Sequence, residues 1–173
     1  IHCITNYVSI NDCANIVLAC GGAPIMAEDI NEVSQITSIC QGLDINIGML
    51  NDNKLSSMLK AGATANELGI PVILDPVGAG SSDYRIKAVQ NLMSNVQFGV
   101  IRGNVSEIKA IAAKQGIHNI AAGVYETMQK NKSAMGVEAG IADKITDDNI
   151  KEMADFINKL SKKTGAVIAV TGG

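Results

Sequence analysis

No tryptophan occurs among the 173 residues, and aromatic side chains make up only 3% of them. A single-stranded nucleic-acid platform needs rings on which bases stack, and a duplex-binding face needs an excess of basic side chains. The formal net charge here is −3, so nucleic acid is not an expected partner. Long apolar runs are also missing. None approaches the ~20 residues that cross a bilayer, and the opening residues lack the basic, apolar and small-residue succession of a leader. A membrane is therefore not an expected partner either. Cys3, Cys13, Cys20 and Cys40 crowd the first quarter of the chain without a CxxC pair. Zinc-ligand spacing is absent, and a disulfide framework does not suit a chain of this size. The four are expected to be reduced, buried, small apolar side chains of a cytoplasmic protein. The phosphate-binding pattern GxxxxGK[ST] does not occur, and residues 78–83 fail the third-glycine position of GxGxxG. His2 and His118 have no cysteine or acid at metal spacing and read as packing or surface residues.

What is present is a succession of short apolar runs alternating with amphipathic stretches. The length suits a single domain over residues 1–173 with one core, because a chain of ~150 residues already buries about two thirds of its unfolded surface. Strands are expected near residues 1–5, 43–47, 72–74, 99–101 and 167–170, and helices over 9–19, 31–38, 52–68, 83–95 and 150–164, with a further helix directly after Asn104. In the first helix Ile10, Ala14, Val17 and Leu18 are available to the core, while Asn11 and Asn15 share a face that is either solvated or lines a pocket. Residues 116–148 show little period and are expected to form short helical pieces and loops. Strands alternating with helices at this spacing predict an α/β fold, a mostly parallel twisted sheet with helices on both faces.

The stretch IPVILDPVGAG at residues 70–80 organises the rest. Val72, Ile73 and Leu74 form a β-branched run suited to the interior of a parallel sheet, and Asp75 follows at the strand's carboxyl end. In open α/β sheets that end faces the ligand. Gly78 and Gly80 then supply backbone that can turn sharply beside it. Asp-Pro also starts ordinary turns, and that reading of Asp75 stands beside the first. Two further strand ends deliver Arg102 and Thr171. Arg102 offers a planar fork of donors suited to phosphate oxygens, or to a neighbouring acid. Asn104 to Glu107 has the spacing of a capping box. The same Glu107, with Asp75, is also suited to positioning Mg²⁺ and its waters against phosphate. Thr171 is placed to donate to phosphate, or simply to end a strand.

Taken together, HCITNYVSINDCAN (2–15), GGAPIMA (21–27), NIGMLN (46–51), LDPVGAG (74–80), VIRGNVSEI (100–108) and VIAVTGG (167–173) resemble the hydroxyethylthiazole kinases of the ribokinase-like superfamily. Asn104 to Glu107 looks like that superfamily's NxxE signature. The resemblance implies a ribokinase-like fold and transfer of the ATP γ-phosphate to the primary alcohol of 4-methyl-5-(2-hydroxyethyl)thiazole, a salvage step towards thiamine. It implies that Met26, with Asn6 nearby, lies against the thiazole, that Arg102 and Thr171 bind ATP, and that Asp75 and Glu107 organise Mg²⁺. It further implies a homotrimer with sites at subunit boundaries.

The resemblance covers the front part of such an enzyme, so the domain is expected to lack its C-terminal portion. In the family that portion carries a GTGC-like loop whose amides form an anion hole and whose cysteine is associated with the reacting alcohol. None of the four cysteines here sits in such a context. Two rival readings follow. One is a non-catalytic nucleotide-binding module, and the other is a ribokinase-like kinase of another small alcohol such as hydroxymethylpyrimidine.

Overall fold

The structure, a computed structural model, describes residues 1–117, 145 and 149–171. Expectations for the remainder of 116–148, including His118, lie outside the described residues, as do Gly172 and Gly173. In chain order the elements are β1 (His2–Ile4), α1 (Ile10–Ala19), α2 (Val33–Ser38), β2 (Leu43–Asn46), α3 (Asp52–Glu67), β3 (Val72–Asp75), α4 (Asp83–Asn95), β4 (Val100–Asn104), α5 (Val105–Lys114), α6 (Ile150–Thr164) and β5 (Val167–Thr171). The five strands form one parallel sheet in which each lies beside the next in sequence, β1-β2-β3-β4-β5. The parallel α/β expectation therefore holds, and β3 is central as its β-branched run predicts.

Local chemistry fixes where the helices begin. Asn51 accepts from the Lys54 amide at 2.9 Å, Ser82 from the Arg85 amide at 3.2 Å, and Asn104 from the Glu107 amide at 2.9 Å. Each cap satisfies an amide that the first helical turn leaves without a partner, and each contributes about 1 kcal/mol. These helices consequently start close to the carboxyl rim of the sheet. Beneath them Ile4, Leu43, Ile45, Leu74 and Ile101 meet Met58, Leu92, Ile108 and Ile111 in one cluster, which α6 joins through Met153, Phe156 and Leu160. Burying each such aliphatic side chain is worth about 1.5–3 kcal/mol, so this cluster dominates the stability of the fold. On the other face of the sheet Ile73 is 40% and Val167 64% exposed.

Several local expectations need correction. Helix α1 forms where predicted, but none of its residues is buried; Ile16 and Leu18 are exposed, so its apolar side chains do not enter this core. Asn11 and Asn15 take the solvated alternative. Of the cysteines only Cys3 is buried, Cys13 and Cys40 are half-buried and Cys20 is exposed, although all four are free thiols. Burial and the nearby Asp44 push the Cys3 thiol up to about 11, which makes it unreactive. Strand β4 runs on to Asn104 and β5 to Thr171, so residues expected just beyond the strands are paired within the sheet. His2 is a packing residue as expected. Its Nε2 donates to the Ala27 carbonyl at 2.8 Å, which leaves Nδ1 to accept from the Thr37 hydroxyl at 2.9 Å. Burial lowers its pKa and keeps the ring neutral. Among the described residues no helix is long and apolar enough to cross a membrane.

Asp44, the second residue of β2, makes the sheet sensitive to pH. Burial, and secondarily the charge on Asp75, raise its carboxyl from 3.8 to about 6. The folded chain then holds this proton more tightly than the unfolded chain. Its contribution is complete below about pH 4 and is lost as pH rises through 6. Urea unfolding of the chain and of Asp44→Asn from pH 4 to pH 8 should therefore diverge, with the variant gaining on the order of 2 kcal/mol relative to the parent at the alkaline end. Parallel curves would show that the buried carboxyl is not the source.

Candidate functional site

The carboxyl ends of β1 to β5 form a rim, and a directed chain of hydrogen bonds runs along it. Asn6 Oδ1 accepts from the Val8 amide at 3.1 Å, the Ser9 amide at 3.0 Å and the Ser9 hydroxyl at 3.1 Å. Those donors force its Nδ2 outward, where it donates to Asn46 Oδ1 at 3.2 Å. The Gly48 amide also donates to Asn46 Oδ1, at 2.8 Å, so Asn46 turns its own Nδ2 to Asp75 Oδ2 at 3.1 Å. Arg102 closes the series on that same oxygen at 3.2 Å. Backbone amides thus set the polarity of both amide side chains in the relay, and its last two donors, Asn46 and Arg102, meet on one carboxylate oxygen. Gly48 is needed for close approach, because a Cβ there would sit 2.9 Å from Asn46 Oδ1 and 3.0 Å from Asn6 Nδ2.

Asp75 is held between opposing influences. Burial raises its pKa and Arg102 lowers it; the nearby Glu107 charge raises it again, and the bonds from Arg102 and Asn46 pull it down. The net direction is upward, so desolvation outweighs a guanidinium whose side chain is half exposed. Oδ2 receives both protein donors. Oδ1 therefore remains the oxygen that faces no hydrogen-bond donor among the described residues.

Glu107 closes the neighbouring junction. The capping box is present as its spacing predicts, with the Glu107 amide donating to Asn104 Oδ1 and Glu107 Oε2 accepting from the Asn104 amide at 2.8 Å. Oε1 does something that spacing does not announce, accepting from the Gly78 amide at 2.8 Å. The carboxylate is buried and ties the glycine-rich loop after β3 to the start of α5. Gly103 leaves the space for this, since a Cβ there would lie 3.0 Å from Glu107 Oε2. Gly78 and Gly80 take positive φ, as a sharply turning loop requires. Thr171 lies opposite Asn104 in the β4–β5 register, its hydroxyl 3.5 Å from the Gly103 carbonyl.

Of the residues picked out in the sequence, Asp75, Arg102 and Asn6 belong to one relay, and Glu107 and Thr171 flank it. Met26 stands apart in contact terms. It follows Ile25, which pairs with His2 as an isolated parallel bridge, so its segment runs along the outer edge of β1. Among the described residues no group of three or more histidine, cysteine or acidic side chains is gathered for a metal.

Three participants were not picked out. Asn46, at the end of β2, links Asn6 to Asp75. Arg85 donates through Nη1 to the carbonyls of Ile47 at 2.8 Å and Val77 at 2.7 Å, and through Nη2 to that of Gly48 at 2.8 Å, stapling the loops after β2 and β3. Lys54 is buried beneath the β1–α1 connection. An arginine or lysine in the first turn of a helix reads in sequence as a surface charge, and no local pattern marks it as a staple.

The whole chain, residues 1–173, matches the model of the hydroxyethylthiazole kinase family. A hydroxyethylthiazole kinase of Clostridium acetobutylicum is 55% identical over 172 residues, covering 99% of this chain and 57% of the relative. One of Desulfovibrio desulfuricans is 46% identical over 172 residues, covering 99% of this chain and 55% of the relative. The solved structure of a hydroxyethylthiazole kinase protein from Pyrococcus horikoshii superposes with a TM-score of 0.77 at 30% identity, covering 99% of this chain and 54% of that one. The chain spans just over half the length of the relatives it matches.

The staple made by Arg85 carries a direct expectation. Arg85→Met keeps the aliphatic stem but leaves three part-buried carbonyls without their donor, which should cost about 1–3 kcal/mol in urea unfolding. An unchanged midpoint would mean that water replaces the guanidinium freely.

Proposed function

Because the chain belongs to the hydroxyethylthiazole kinase family and has its α/β ribokinase-like fold, we propose that its protein transfers the ATP γ-phosphate to the primary alcohol of 4-methyl-5-(2-hydroxyethyl)thiazole, a step of thiamine salvage. The observation that carries this reading is the relay ending on Asp75 and Arg102, set beside a glycine loop that Glu107 holds in place. Phosphoryl transfer depends mostly on positioning and on offsetting charge, and a rim of this kind serves both.

In this reading Arg102 and Thr171 take the nucleotide. The guanidinium head reaches into solvent, where it can exchange part of its contact with Asp75 for phosphate oxygens. Asp75, through the oxygen its protein partners leave open, and Glu107, through water, hold Mg²⁺. When bound, that ion offsets the charge of the polyphosphate. Met26 gives the thiazole an apolar, polarisable surface. Asn6, with its amide orientation fixed, lies on the same side of the rim. The protein works in the cytoplasm as a homotrimer with its sites at subunit boundaries. The exposed Tyr7, Val8, Ile16 and Leu18 around α1, which no described residue covers, support that assembly. The remaining catalytic elements, an anion-hole loop with its cysteine, belong in this proposal to the length of the relatives that the chain does not span.

Assay of the chain, and of a form extended to the relatives' length, with ATP, Mg²⁺ and the thiazole alcohol should yield the phosphorylated alcohol from the extended form. Binding without turnover there would favour a non-catalytic module, and preference for hydroxymethylpyrimidine would overturn the substrate. In the active form Glu107→Gln should lower Mg²⁺-dependent turnover about tenfold or more, while Tm falls only by the few degrees that one lost capping bond brings. Equal damage to both would reduce Glu107 to a helix cap.

A further inference from the structure

The most constrained charge among the described residues lies outside the relay. Lys54, in the first turn of α3, is 4% exposed, and lysine is almost never buried unless it is paired. Its ammonium donates to the Thr5 carbonyl at 2.5 Å, pairs with Glu28 Oε2 at 2.7 Å, and lies 4.6 Å from the centre of the Tyr7 ring. The Tyr7 hydroxyl in turn donates to Glu28 Oε1. Burial pushes the Glu28 carboxyl up, but the bonds from Lys54 and Tyr7 outweigh it and hold the group below its ordinary value. One nitrogen therefore gathers two pieces of chain: the β1–α1 connection, at Thr5 and Tyr7, and the segment along the outer edge of β1, at Glu28.

We propose that Lys54 is a positioning residue for the alcohol acceptor, holding the two segments that carry Asn6 and Met26 in fixed relation. This rests on the reading of those two residues as acceptor contacts. Asn6 stands between Thr5 and Tyr7, both held by Lys54, and Met26 is two residues before Glu28. At the other end of β1 the Ile25 bridge to His2 anchors the edge segment. At the rim the ammonium and the Tyr7–Glu28 bond lying against it join that segment to the β1–α1 connection. Arg102 and Thr171 stand on β4 and β5, away from this clamp, so a loosened clamp should be felt by the alcohol and not by the nucleotide.

The two halves of the ion pair are unequal probes. Glu28 is 39% exposed on its side chain, whereas Lys54 is enclosed. Removing Glu28 would strand a buried cation, but Lys54→Met fills the same volume without charge and leaves a carboxylate that water reaches. In the form of the protein assayed for turnover, Lys54→Met should raise the KM and the calorimetric Kd for the thiazole alcohol about tenfold. Both values for Mg·ATP should stay within about twofold. Unchanged alcohol affinity, or equal weakening of alcohol and nucleotide, would overturn the assignment. Failure of the unchanged protein to bind the alcohol at all would instead overturn the proposed function, and the assignment with it. Tyr7→Phe serves if Lys54→Met does not fold, since the ring is exposed and only the hydroxyl is lost. A smaller rise confined to the alcohol is expected, and no rise would again count against the clamp.

Discussion

The rim of this molecule depends on one carboxylate shared between two backbone amides. Glu107 takes the Gly78 amide on one oxygen and the Asn104 amide on the other, and through them it fixes the loop after β3 against the junction of β4 and α5. Asp75 lies just before that loop and Arg102 just before that junction, so the contact between them inherits its geometry from Glu107. On the far side Arg85 holds the same loop through Val77 and joins it to the carbonyls after β2. An anionic brace and a cationic brace thus work on opposite polarities of the backbone, one on amides and the other on carbonyls. The loop between β3 and α4, which packs into the core through Ala79, is held in place by both.

The electrostatic character of the rim follows from this division. Glu107 and Arg85 are occupied in bracing, whereas Asp75 and Arg102 are paired to each other by a bond that water reaches on the arginine side. The upward drift of the Asp75 carboxyl is the signature of a negative group with too little positive charge nearby to offset its burial. Such a group gains when a cation arrives, and an arginine loosely held beside it gains when an anion does. In the proposed function a magnesium nucleotide brings both together.

Much of this was legible in the sequence, and for identifiable reasons. The capping box at Asn104 and the β-branched run 72–74 are local signals, and the structure honours each. Asp75, Arg102 and Thr171 could be placed at one rim because parallel strands all deliver their carboxyl ends to the same side. The second bond of Glu107 was not legible, since it joins residues 29 apart in sequence and the capping box already explained the glutamate. The apolar positions of α1 are available to a core by their spacing but do not enter this one, because amphipathic spacing says only that a face can be covered, not by what. Lys54 escaped for the converse reason. A lysine in a first helical turn looks solvated until the tertiary structure lays Thr5, Tyr7 and Glu28 over it.

The sheet's order has a consequence for how the chain reaches this state. Because the described strands that are adjacent in space also follow one another along the chain, each docks on the described strand made before it, and only the connection through the intervening helix or helices has to close. The nascent polypeptide can accordingly lay down β1 to β5 from one margin of the sheet, in step with the ribosome.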